Sequence, residues 1–167
     1  MGRAIGAIEG LPVLDLGRRV ADELGTSPDL ALVAVPEADY RRVEARVACQ
    51  VLDHAVAQGA VVALGSGCLG DPRIGLRLEE LRLVHDRSYQ IVALACATRV
   101  LATRNGLDAP RSVALGTVHH QFVQMLHERQ TLCQDMADVV IDTTATTPDE
   151  AAQKVMNDIG TDLSRHS

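Results

Sequence analysis

Aromatic residues are nearly missing. The 167-residue chain has no Trp, two Tyr (Tyr40, Tyr89) and one Phe (Phe122). So few rings argue against a single-stranded nucleic-acid platform built on base stacking, and they leave the core to Ala, Val, Leu and Ile. Lysine is almost as scarce: of 16 basic residues only Lys154 is not arginine. An anion site must therefore use guanidinium forks or backbone N–H groups. Basic charge is also outweighed, with a formal net charge of −6 and a pI of about 5.4. Nucleic-acid and anionic-membrane surfaces carry the opposite sign, so both partners are excluded.

Long hydrophobic runs are lacking too, and no stretch approaches the length of a membrane span. The start, Met1 to Ile8, has no signal-peptide pattern. The cysteines Cys49, Cys68, Cys96 and Cys133 show no C-x-x-C spacing and no nearby histidine pattern. They read as reduced thiols packing as small hydrophobes in a cytoplasmic protein. What is present is ordinary globular composition, 47% hydrophobic and 23% charged. That suits one compact domain over residues 1–167.

Short apolar runs alternate with longer amphipathic ones. Leu11 to Asp15, Ala60 to Leu64, Gln90 to Leu94 and Val139 to Asp142 read as strands. Helices are expected over Leu16–Leu24, Glu37–Gln58, Arg73–Leu83, Thr98–Arg104, Val118–Met136 and Pro148–Leu163. The second of these is the clearest. Tyr40, Val43, Val47 and Val51 form an apolar stripe, Arg42, Arg46, Gln50 and Asp53 face away, and Pro36 and Gly59 punctuate the ends. Residues 105–117 mix Gly106, Pro110 and Gly116 and read as a long loop. Leu30 to Val35 could be a strand or a buried helical turn, which so short a run does not decide. Strands alternating with helices predict a three-layer α/β/α fold around a mainly parallel sheet.

In such sheets ligands bind beyond the carboxyl ends of the strands. That rule selects Asp15, Gly65 to Gly67, Ala95 onward and Asp142. Asp15 reads on its own as a cap of the following helix, with a metal–water ligand as the alternative. Gly65-Ser66-Gly67 either lets backbone approach a ligand or is a plain strand-to-helix turn. Arg41, Arg104, Arg111 and Arg129, if gathered at one sheet edge, would hold a carboxylate or phosphate. His119, His120 and His127 lack the H-E-x-x-H pattern and read as surface or packing residues.

In order and spacing, four segments resemble shikimate kinase, a small P-loop kinase of the nucleoside-monophosphate-kinase type. They are Tyr40-Arg41-Arg42-Val43-Glu44, Val62 to Gly67, Leu126 to Leu132 and Ala137 to Thr143. The resemblance runs from about Gly2 to Leu163. It implies transfer of phosphate from ATP, with magnesium, to the 3-hydroxyl of shikimate. Arg41 and Arg129 match the arginines that grip the shikimate carboxylate. Gly65, Ser66 and Gly67 match the glycine turn against the ring, with Ser66 replacing its middle glycine. Asp15 matches the acid that holds magnesium through water. Arg104 matches an arginine that stacks on adenine, and Pro148 lies in the loop closing over it. Arg111 matches the arginine of the lid, here residues 105–117, that reaches the transferring phosphate.

Two departures bear on that activity. No G-x-x-G-x-G-K-[ST] occurs in the 167 residues, and Met1 to Gly6 resembles the helix that follows that loop. The cradle of N–H groups, the lysine and the Ser/Thr magnesium ligand would go together. The first, central strand would be missing, or replaced by residues 30–35, by another subunit or by residues outside this sequence. Independently, the family's Asp-x-Asp after its second strand is here Asp15-Leu16-Gly17, and glycine cannot bind or deprotonate the acceptor hydroxyls. Three readings follow. The first is a degenerate shikimate-kinase-like protein of aromatic amino acid biosynthesis that keeps a pocket for shikimate or a similar hydroxylated carboxylate. The second is an active kinase whose amino terminus lies outside the sequence. The third is a non-enzymatic partner of another pathway enzyme or a homo-oligomer, docking by strand addition.

Overall fold

The computed structural model describes residues 1–83, 89–104 and 116–164. They fall into two compact units, Met1–Arg87 and Ser88–Ser167, and each is described by itself. Among the described residues each unit contains a two-stranded parallel sheet.

In the first unit, helix α1 (Gly2–Glu9) leads into strand β1 (Val13–Asp15) and helix α2 (Leu16–Glu23). A short helix α3 (Ala31–Ala34) precedes the long α4 (Glu37–Gln58), strand β2 (Val61–Ala63), a 3-10 turn at Cys68–Gly70 and helix α5 (Pro72–Arg82). β1 pairs with β2 in the register Val13–Val61, Leu14–Val62 and Asp15–Ala63. α1 lies close on this sheet because Gly2 and Gly6 face it. A Cβ on Gly2 would sit 3.6 Å from Ala63 and 3.7 Å from Val13, and one on Gly6 would collide with the Val13 side chain and approach the Leu11 carbonyl. Alternation puts Leu14, 6% exposed, on the other face, where α2 packs on β1 and α4 on β2.

α4 begins at Pro36 and ends where Gly59 takes φ 73°, a left-handed conformation that favours glycine. Its buried stripe is Tyr40, Val47, Ala48, Val51 and Leu52. α4 packs on α2; Ala48 of α4 and Val20 and Ala21 of α2 are fully buried, and small side chains let helices approach closely. Each fully buried Val or Leu contributes about 1.5–3 kcal/mol. Ion pairs tie the outer faces: Arg46 to Glu23 at 2.9 Å, and Arg77 of α5 to Asp53 at 2.9 Å.

Residues 30–35 do not form a strand. Ala31–Ala34 is a single helical turn with Ala31 buried and Leu30, Leu32 and Val33 exposed. A run this short carries one hydrophobic anchor, so the turn packs through that residue alone. The replacement of a central strand by this segment is therefore overturned.

In the second unit, strand β3 (Val92–Ala95) is followed by helix α6 (Thr98–Arg104), helix α7 (Gly116–Asp135), strand β4 (Val139–Asp142) and helix α8 (Pro148–Ser164). β3 pairs with β4 from Val92–Val139 to Ala95–Asp142. β3 begins two residues later than its apolar run suggests, after the Asp138 carboxylate accepts the Ile91 amide at 2.8 Å. Ala93 and Ile141 are buried on opposite faces of this ladder; α7 packs on β3, and α8, with Ala152 and Val155 fully buried, packs on β4. Residues 105–115 of the expected lid, Arg111 among them, lie outside the described residues; Gly116 and Thr117 already belong to α7. Among the described residues no helix is long and apolar enough to cross a membrane.

Candidate functional site

The first turns of α4 carry Glu37, Arg41 and Glu44, spaced four and three apart, so all three share one helix face. Glu44 is the sole buried charged residue among the described ones, 6% exposed. Its carboxylate accepts from Arg41 Nη1 at 2.7 Å. Glu37 lies on the other side, 3.5 Å from Nη2. The guanidinium also stands over the Tyr40 ring, 5.5 Å from its centroid.

The turn after β2 completes this arrangement. Gly67 has φ −68° and ψ −30°, a conformation open to any residue. Space, not backbone freedom, calls for glycine: a Cβ there would lie 2.6 Å from Arg41 Nη1. The guanidinium thus rests against the Gly65-Ser66-Gly67 turn. Gly65 and Ser66 are exposed, and among the described residues a Cβ on Gly65 meets nothing within 4 Å. Cys68, 2% exposed, roots the turn beneath α4.

The electrostatics follow from this packing. Burial works against the charged Arg41, but the hydrogen bond and charge of Glu44, with Glu37, outweigh it and hold the guanidinium above its ordinary pKa. Burial is the main reason the Tyr40 hydroxyl is raised as well, with the Glu44 charge adding to it. The result is a permanently charged, oriented fork with one edge fixed by buried Glu44 and the other covered by exposed Glu37. Such a fork takes a carboxylate.

Asp15 and the glycine turn leave the same end of the β1–β2 ladder, since Asp15 pairs with Ala63. The Asp15 side chain caps α2, accepting the Arg18 amide at 3.2 Å. Gly17 is the second residue of α2 and exposed, and a Cβ there would meet only Asp15 Oδ1, at 3.5 Å. Packing therefore does not require glycine at this position.

In the second unit the carboxyl ends of β3 and β4 are laced together. Thr143 Oγ1 donates to the Ala95 carbonyl at 2.9 Å, and the Ala97 amide donates to Thr144 Oγ1 at 2.9 Å. Arg104 reaches across, donating to the Thr143 carbonyl at 3.1 Å and to Cys96 Sγ at 3.6 Å. Asp142 accepts the Thr144 amide at 2.8 Å, and hydrogen bonding by Thr144 holds it below the usual carboxylate range. Pro148 is the exposed first residue of α8.

A polar cleft of about 290 Å³ opens at the end of β3, lined by Cys96, Ala97, Thr98, His127, Gln130, Thr131 and Gln134. The four α7 residues in it recur at helical spacing. At about 100° per residue, Arg129 projects to the far side of α7 from them. It is half-buried, with Cys133 one turn on.

Arg41 belongs to the first sheet's unit, Arg104 and Arg129 belong to the second, and Arg111 is outside the described residues. Two acids escaped the sequence reading, Glu37 and Glu44. Their spacing about Arg41 was the available signal. Among the described residues no group of three or more His, Cys, Asp or Glu side chains could hold a metal ion.

Comparison with known proteins converges on one family. The family model described as shikimate kinase matches residues 1–160. The chain is 26% identical over 159 residues to a shikimate kinase of Thermobifida fusca, covering 95% of this chain and 86% of that one. It is 25% identical over 150 residues to one of Streptococcus suis, covering 87% and 86%. Among solved structures it is similar to the shikimate kinase from Acinetobacter baumannii in complex with shikimate, with TM-score 0.74, 18% identity and 96% and 85% of the two chains covered. It is also similar to the shikimate kinase from Bacteroides thetaiotaomicron, with TM-score 0.68, 15% identity and 95% and 89% covered. At these identities the two structures speak to the fold.

Proposed function

The chain belongs to the shikimate kinase family, and from that membership we propose that it binds shikimate or a similar hydroxylated carboxylate through Arg41 while transferring phosphate weakly or not at all. The observation that carries the pocket is the Arg41 fork, held by buried Glu44 and resting on Gly67. A structural relative was solved in complex with shikimate, which names the ligand class. Arg129 is proposed as a second carboxylate anchor, and Gly65, Ser66 and Gly67 as the wall against the ring.

Gly17 supports the loss of chemistry. The family's second acid would stand there, and its exposed helical site has room for a side chain. Without a carboxylate the acceptor hydroxyl is neither oriented nor relieved of its proton, and positioning is most of what a protein supplies to phosphoryl transfer.

ATP and magnesium are the family's co-substrate and ion, and the described residues fit them poorly. Asp15 is one exposed carboxylate already engaged in a cap, and magnesium held by so few protein ligands depends on phosphate oxygens. Lys154 is exposed on α8, and Arg104, proposed to face adenine, is bonded to Thr143 and Cys96.

Isothermal titration with shikimate tests the pocket. Saturable heat is expected for the native chain, a weaker isotherm for Arg41→Lys, which keeps charge but loses the fork, and none for Arg41→Met. No heat from the native chain at millimolar shikimate would remove the pocket. The continuous match to named shikimate kinases favours a second reading, an active kinase. Shikimate-dependent ADP formation separates the two.

A further inference from the structure

We infer that Glu37 is a built-in counter-ion of Arg41 that an incoming carboxylate displaces, so that it sets the affinity and charge selectivity of the site. This deepens, and rests on, the reading of Arg41 as a carboxylate anchor.

The two acids beside Arg41 are unequal. Glu44 has a side chain only 8% exposed and sits 2.7 Å from Nη1. Glu37 has a side chain 79% exposed and stands 3.5 Å from Nη2. A well-formed charged hydrogen bond spans about 2.7–2.9 Å. Nη1 is therefore committed to a buried partner, whereas Nη2 is covered loosely by a carboxylate that loses little by swinging into water. Gly67 closes the Nη1 side, so a ligand approaches by the Nη2 edge.

Glu37 is tethered four residues before Arg41 in the first turn of α4, and it returns whenever the ligand leaves. Binding is then an exchange of carboxylates on one guanidinium. A ligand that arrives without displacing Glu37 would place a third acid around a single positive charge. A monocarboxylate can make the exchange. A dianion brings one charge more than it replaces, and Glu44 is fixed close by to repel it.

Asp39 provides the internal control. It lies in the same helical turn with the same charge, but pairs with Arg42 at 2.8 Å. The test is calorimetric titration of shikimate into the native chain, Glu37→Gln and Asp39→Asn, at low and physiological salt. Glu37→Gln is expected to bind about two- to five-fold tighter, the equivalent of one exposed ion pair, with the gain shrinking in salt. Asp39→Asn is expected to change affinity less than about 1.5-fold, because its charge is screened and engaged elsewhere. Glu37→Ser, also suited to a helix start, repeats the readout if glutamine lowers the melting temperature.

Binding seen only in Glu37→Gln supports the inference outright. Native binding that Glu37→Gln leaves unchanged or weakens overturns it and spares the Arg41 anchor. Equal tightening by both variants also overturns it, since a general field then suffices. No binding by any of the three overturns the anchor and the inference together.

Discussion

Gly67→Ala isolates the contact on which the site is built. The backbone at this residue accepts alanine, so the variant introduces no conformational strain. Its Cβ instead meets Arg41 Nη1 at 2.6 Å, and the guanidinium must retreat toward the 3.4 Å of ordinary contact. Arginine is long and flexible, so the fold survives. The cost falls on the 2.7 Å bond to Glu44, which lengthens and leaves a buried carboxylate less well satisfied. A hydrogen bond to a charged group contributes about 1.5–3 kcal/mol. The Arg41 side chain is 34% exposed. Water therefore recovers part, and about 1 kcal/mol of stability should be lost. For a chain of this length that is a fall of about 2–4 °C in melting temperature. Affinity for shikimate should fall by about tenfold, one charge-assisted hydrogen bond. Urea unfolding and calorimetric titration read the two effects separately. Gly65→Ala, whose Cβ meets nothing within 4 Å among the described residues, should leave stability within about 0.5 kcal/mol. A Gly67→Ala protein that melts and binds like the native chain would refute the placement of Arg41 against the turn.

Gly17→Ala should stabilise the chain by about 0.5 kcal/mol in urea unfolding, because glycine is costly in a helix and nothing crowds this site; a loss would mean that the turn needs glycine. Gly17→Asp should fold and bind shikimate more tightly by calorimetry; unchanged affinity would show that the acid's absence is not what weakens the site. Gly6→Ala should cost about 1–3 kcal/mol by forcing α1 off Val13 and the Leu11 carbonyl, measured by urea unfolding; a neutral result would mean α1 does not pack there. Tyr40 carries a pH signature. Its hydroxyl is raised in the folded state, so the unfolded chain loses its proton first, near pH 10. Stability is complete below that value and is lost as pH rises through the folded-state value. Tyr40→Phe should flatten this alkaline limb, and an unchanged limb would assign it elsewhere.

The helices were the most legible elements. The α4 stripe, Pro36 and Gly59 define a segment whose ends match the structure, because periodicity over 22 residues and both punctuation signals agree. The sheet was less legible. A run such as Val139 to Asp142 announces a strand by composition, but its neighbour, here β3, is set by tertiary packing. Residues 30–35 show the limit of a six-residue apolar run, which one buried alanine settles as a helical turn. In the site, Arg41 was visible from its place in the first turn of α4 and from the resemblance of Tyr40-Arg41-Arg42-Val43-Glu44 to the family. Glu44 was not, since a glutamate in an amphipathic helix reads as solvated until the fold buries it. Asp15 was visible both as a cap and as a ligand, and its bond to the Arg18 amide shows the cap.

On this reading the pocket outlives its chemistry. Transfer of labelled γ-phosphate from ATP to shikimate, measured on this chain with magnesium at saturating acceptor, tests it most directly. Labelled product is expected at the level of a protein-free blank while shikimate still gives binding heat. Product formed at about 1–100 turnovers per second, the range of ordinary kinases, would contradict it.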